Sequence, residues 1–204
     1  MSMKSLTAVL DAASAEDAVM VLTRNPGSLV TSSGPQWITD NEARAIVAGC
    51  AVSFLIAGDT DNPVGLVLVR RMQTPGHLRL DIVSGDDSRM TPETIADSLR
   101  EAVDFLTASV EVARLDMCFG VYNDPLLRYA LDAPGFRFEG VLRDAFFAAG
   151  RYWDGTIVAI TGADITAVRS ADAAEPTARY RSIASRVAKR ITADLAAYRT
   201  TGER

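Results

Sequence analysis

The chain has 204 residues, 48% apolar and 23% charged, with a net charge of −5. That is enough for one domain able to bury roughly 70% of its unfolded surface. No apolar run approaches the roughly 20 residues of a membrane span, and no long apolar segment follows Met1-Ser2-Met3-Lys4, so neither a membrane protein nor a secretory leader is expected, and the cytoplasm is the default compartment. Cys50 and Cys118 are isolated thiols in a chain with one histidine, which argues against a metal site and against a disulfide framework.

The charge is unevenly placed. Residues 165–204 hold eight Arg and Lys against four Asp and Glu, which leaves −9 on residues 1–164. An acidic body excludes non-specific nucleic-acid binding by the core. The basic tail either touches an acidic partner or packs on its own domain.

In chain order, Ser14-Ala15-Glu16-Asp17 opens a helix that closes at Asn25-Pro26-Gly27. A short helix follows from Thr39 to Ala48, with Thr39 or Asp40 as cap and Gly49 as its end. Strands Ala51–Ala57 and Val64–Arg71, joined by the turn-rich segment 58–63, read as a hairpin. A third strand, His77–Val83, puts His77, Arg79, Asp81 and Val83 on one face and Leu78, Leu80 and Ile82 on the other. Thr91-Pro92-Glu93 is a helix start, and Ile95, Leu99, Ala102, Val103, Leu106 and Val110 continue it at helical spacing. Leu115, Met117, Phe119 and Val121 alternate as a strand, and 124–133 forms a short helix capped by Asn123 or Asp124. Strands 136–147 and 152–161 form a long hairpin around Ala148-Ala149-Gly150. This order predicts an α/β (α+β) domain on one mixed central sheet flanked by helices, covering residues 1–164. A linker and an amphipathic helix, Thr177 to Tyr198, make up 165–204, with Tyr180, Ile183, Val187, Ile191 and Leu195 on one face. That stripe needs a cover, either the core or a second copy, the latter making a homodimer.

Gly135-Phe136-Arg137-Phe138-Glu139-Gly140-Val141-Leu142-Arg143, followed by Gly150-Arg151-Tyr152-Trp153-Asp154, resembles the C-terminal signature of GNAT-fold N-acetyltransferases. The branch it looks most like acetylates ribosomal-protein N-termini and many small amines. The resemblance spans residues 5–164 and adds an N-terminal strand near Ser5–Leu10. It implies acetyl-CoA or another acyl-CoA as co-substrate, and a small-molecule amine or peptide N-terminus as acceptor. The transfer would be by direct attack, with no metal.

It also implies sites. In such enzymes the strand before the long helix splays from its neighbour, so the backbone of Val83 and Ser84 would meet pantetheine. The next loop normally reads R/Q-x-x-G-x-G/A and gives its amides to the pyrophosphate. Here Ser88, Arg89, Met90 and Thr91 would serve, with Arg89 as the leading arginine. No glycine follows Arg89, Pro92 lacks an N–H, and Asp86, Asp87 and Glu93 add negative charge. The chain is then either a diverged acyltransferase, or a GNAT-fold protein using another acyl carrier or acting as a binding or scaffold module. Asn123 would contact pantetheine or the reacting carbonyl, although Leu126 replaces the usual Ser or Ala. Tyr129 is near the family's general-acid tyrosine, or is a core residue.

His77 stands where a general base is expected, a task that suits the imidazole side chain in general, or else is a turn-adjacent residue with no role. Asp81 is a base, an anchor for a cationic acceptor, or half of a structural salt bridge with Arg79 or Arg114. Glu139 and Asp154 read as hairpin ties. Trp37 and Trp153 line an acceptor pocket or pack in the core.

Overall fold

The computed structural model of the chain describes residues 6–25, 30–31, 34–35, 38–58, 62–132, 135–162 and 164–165. Its elements are β1 (Leu6–Ala8), α1 (Ala12–Arg24), β2 (Val30–Thr31), β3 (Gly34–Pro35), α2 (Asp40–Gly49), β4 (Val52–Ile56), β5 (Gly65–Arg71), β6 (His77–Ser84), α3 (Pro92–Ser109), β7 (Arg114–Gly120), α4 (Asp124–Asp132), β8 (Arg137–Ala148) and β9 (Arg151–Thr161). The expected C-terminal helix and Trp37 lie outside the described residues.

Local chemistry sets the helix starts. The Asp11 carboxylate accepts the Ser14 N–H at 2.8 Å while Ser14 Oγ accepts the Asp11 N–H at 3.2 Å, a reciprocal cap that starts α1 two residues before Ser14. Thr39 and Glu42 make the same box for α2. Thr91 Oγ1 accepts the Thr94 N–H at 3.2 Å, and Pro92 takes the first turn of α3, where no N–H is missed. At the tip of the last hairpin Ala149 and Gly150 have φ of 51° and 76°, the paired positive values of a two-residue turn that follows the strand twist.

Seven strands form one mixed sheet in the order β1-β4-β5-β6-β7-β9-β8. The neighbours are antiparallel except β6 and β7, which are parallel and joined through α3. β2 and β3 form a separate two-residue ribbon, which the sequence pattern did not predict. Leu78, Leu80 and Ile82 of β6, with Leu115, Met117 and Phe119 of β7, pack under α3 and α4 through Ile95, Leu99 and Leu126. The opposite face carries Leu55, Leu66, Leu68 and Val83 against Ala18, Val21 and Leu22 of α1 and Ala43 of α2. Among the described residues no helix is long and apolar enough to cross a membrane.

Candidate active site

The sheet is interrupted in its middle. The β6–β7 ladder contains three pairs, His77 with Arg114, Leu78 with Leu115 and Arg79 with Asp116. Beyond them β6 runs to Ser84 held by β5 alone, and β7 runs to Gly120 held by β9 alone. Two strands, each fixed by its outer neighbour, thus border a slot whose inner backbone edges have no ladder partner among the described residues. Such edges suit an extended, amide-bearing chain, which can pair with them as an added strand. Val83 and Ser84 lie at the open end of this slot, paired outward with Leu66 and Gly65.

Charges gather where the strands part, on the face toward α1 and α2. Asp116 accepts Arg79 Nε at 2.8 Å and Nη2 at 3.2 Å, and lies 2.8 Å from His77 Nε2. Burial pushes the Asp116 carboxyl up, but the hydrogen bonds from Arg79 and His77 outweigh it and hold the group below the usual aspartate value. Arg114 makes a two-pronged pair with Glu139 at 2.7 and 2.5 Å. In the same hairpin the Asp154 carboxylate accepts the Asp144 N–H at 3.0 Å, where β8 bulges.

Asp81 is one side-chain step beyond the last ladder pair, at the edge of the slot, and only 4% exposed. Its counter-ion is Arg70 of β5, not Arg79 or Arg114, because Arg79 is held by Asp116 and Arg114 by Glu139. The Arg70 guanidinium is in direct contact with the Asp81 carboxylate, a charge-assisted pair whose acidic member is almost fully buried. Burial dominates, partly offset by Arg70, and the Asp81 carboxyl is pushed up to about 6. Two carboxylates on one face therefore have opposite characters. Asp116 is locked as an anion, whereas Asp81 is poised to exchange a proton near neutral pH.

His77 belongs to the closed end. Its Nε2 is engaged by Asp116, and it borders a cavity of about 420 Å³ at that end of the sheet, lined also by Met72, Pro75, Leu78 and Leu106. Four steps of strand, about 13 Å, separate it from Asp81. Tyr129 packs edge-on against Phe136, with centroids 6.1 Å apart, on the α3 side of the sheet; its hydroxyl lies near Arg100 and Asp104, and burial pushes it up to about 12. Asn123 caps α4, its Oδ1 accepting the Leu126 N–H at 3.3 Å.

The loop after β6 places the remaining expected residues. Ser88 donates its N–H and hydroxyl to the Asp86 carboxylate, at 3.1 and 2.6 Å, while the Arg89 and Met90 amides donate to the Asp86 carbonyl, each at 3.1 Å. Met90 is buried with its sulfur against Gly65, Arg89 folds back over Gly58, and Thr91 caps α3. The amides at Ser88–Met90 are thus already taken, and this loop as built does not fit a pyrophosphate.

Sequence reading missed Arg70, Asp116 and Tyr122. The Tyr122 ring lies against Gly120, where a Cβ would overlap it, on the same face as Asp116. It stacks edge-on with Trp153 at 5.5 Å and Phe146 at 6.5 Å. Its hydroxyl is buried with no hydrogen-bond partner among the described residues, and burial pushes it up to about 12. Its position beside Asn123, at the end of an alternating strand, was the only available signal.

A mixed sheet that parts between two parallel strands, with a helix crossing from one to the other, is the GNAT fold. The chain resembles a spermidine N-acetyltransferase from Vibrio cholerae in complex with CoA and spermine, with a TM-score of 0.63 and 18% identity over 79% of this chain and 98% of that one. It also resembles a GNAT-family acetyltransferase from Bacillus anthracis, with a TM-score of 0.60 and 15% identity over 78% and 96% of the two chains. No protein-family model matches the chain, and no curated protein matches it. The likeness establishes the fold and does not single out the ribosomal-protein branch.

Proposed function

We propose that this protein is an N-acyltransferase that moves an acyl group from a thioester to the primary amine of a small molecule or peptide N-terminus. The observation that carries this reading is Asp81, a buried carboxylate pushed up to about 6 at the edge of the slot and beside an aspartate held low. An extended pantetheine arm, with its two amides, would pair with the inner edges of β6 and β7 and bring its thioester to the point where they part. Asp81 takes a proton from the ammonium of the acceptor, and the amine nitrogen attacks the thioester carbonyl. The C–N bond forms, the C–S bond breaks, and the sulfur leaves as a thiolate that regains a proton. Tyr122 remains a protonated hydrogen-bond donor at every working pH, suited to the carbonyl oxygen or departing sulfur. His77, Arg79 and Asp116 hold the vertex in place. An acidic body attracts a cationic acceptor, and a structural neighbour was crystallised with spermine.

The test is thiol release from acetyl-pantetheine and acetyl-CoA in the presence of a panel of primary amines and peptides. The expected result is amine-dependent release whose kcat/KM rises with pH through about 6, and its loss by at least about 100-fold in Asp81→Asn. Release independent of every amine, or undiminished in Asp81→Asn, would refute the assignment.

A further inference from the structure

The slot's open end meets the N-terminus of α3, and an anion carried by a ligand in the slot would arrive there. Helix N-termini receive anions through unpaired amides and the helix dipole. In this chain most of these donors are consumed by the protein's own groups. Gly85 and Asp86 both donate their amides to the Val64 carbonyl, at 2.9 and 3.2 Å. Ser88 binds the Asp86 carboxylate through amide and hydroxyl, and Arg89 and Met90 close on the Asp86 carbonyl. In the first turn of α3, Pro92 has no N–H, the Thr94 amide is on Thr91 Oγ1, and the Glu93 carboxylate takes its own amide and the Thr91 hydroxyl. Arg89, the one cation of the loop, is folded over Gly58. The mouth thus contains the carboxylates of Asp86 and Glu93, both held below their ordinary values, with Arg24 and Arg89 near Asp86, where a pyrophosphate would bring further negative charge.

Resting on the acyltransferase reading, we infer that the acyl donor is a pantetheine thioester without a nucleotide pyrophosphate at this loop, and that Asp86 is the residue that rejects the nucleotide. Asp86 acts twice. Its charge repels a second anion, and its carboxylate occupies the Ser88 amide and hydroxyl that such an anion would need. The slot then selects its donor through the pantetheine arm alone.

Calorimetric titration of CoA and of pantetheine into wild type, Asp86→Ala and Glu93→Gln tests this without turnover. Wild type is expected to bind the two within about threefold of each other. Asp86→Ala should tighten CoA by about tenfold and leave pantetheine unchanged, and the exposed Glu93→Gln should shift CoA the same way by a smaller factor, which keeps the test decisive if Asp86→Ala folds poorly. Wild type binding CoA about 100-fold tighter than pantetheine, or binding neither molecule, would overturn the inference. Expected binding combined with no acyl transfer to any amine would sink the acyltransferase reading and leave the loop's selectivity standing.

Discussion

Asp81→Asn is expected to make the protein more stable at neutral pH while removing the proposed acyl transfer. The folded protein binds the Asp81 proton more tightly than the unfolded chain does. The contribution of this group is therefore favourable below about pH 4 and is lost as pH rises through about 6. Raising the carboxyl from 3.8 to about 6 corresponds to about 3 kcal/mol of folding free energy given up at neutral pH. Asparagine has nearly the same shape and never ionises, so it escapes that loss. That figure already includes the offsetting attraction of Arg70, and asparagine leaves the buried Nε and Nη2 of Arg70 beside a neutral neighbour, so part of the gain is given back. The net is about 1–2 kcal/mol, or a Tm higher by about 2–6 °C for a domain of this size. Thermal or urea unfolding of both proteins between pH 4 and 8 measures it, and the gap should close toward acid. A variant less stable than wild type at pH 7, or a gap that does not depend on pH, would show that the Arg70–Asp81 contact outweighs desolvation. Stability gained at the expense of activity is the behaviour of a strained functional group.

Asp116→Ala should act in the opposite direction, costing about 2–4 kcal/mol by leaving the half-buried Arg79 guanidinium without its nearest counter-charge. Because the Asp116 carboxyl sits below its ordinary value, its contribution is present at neutral pH and fades as pH falls through the aspartate range, so the gap in urea unfolding should narrow in acid. A Cβ on Gly65 would stand 2.8 Å from the Val83 carbonyl, which is backbone and cannot swing aside. Gly65→Ala should therefore cost about 1–3 kcal/mol in chemical denaturation. Tyr122→Phe removes a buried hydroxyl with no partner among the described residues, so stability should change by less than about 1 kcal/mol, while acyl transfer falls about tenfold. Turnover equal to wild type would remove Tyr122 from the chemistry.

The element order was legible because its signals are local. Thr91-Pro92 marks a helix start whatever surrounds it, and the alternation in Leu115–Val121 marks a half-buried strand. The two-residue β2–β3 ribbon was not legible, since two residues carry no period. The candidate site was readable in residue type but not in pairing. Asp81 stood out as a charge on an apolar strand, yet its counter-ion depends on the β5–β6 register, which sets Arg70 opposite Arg79 and diagonal to Asp81. Asp116 in turn captures Arg79 because the parallel ladder puts them side by side. The loop's negative charge was visible in Asp86, Asp87 and Glu93, but not that Asp86 curls onto Ser88.

The three-pair ladder also makes the sheet a mechanical device. β1-β4-β5-β6 and β7-β9-β8 are two panels joined along a short seam, and the two-pronged Arg79–Asp116 pair is the pin of that hinge. Five residues of β6, Leu80 to Ser84, extend past the pin, a lever of about 16 Å. Swinging one panel by about 5° moves the mouth by about 1.4 Å, close to the radius of a water molecule, while the vertex beside Asp81 hardly moves. On the proposed reading, a change of aperture at the mouth would leave the reacting end almost in place.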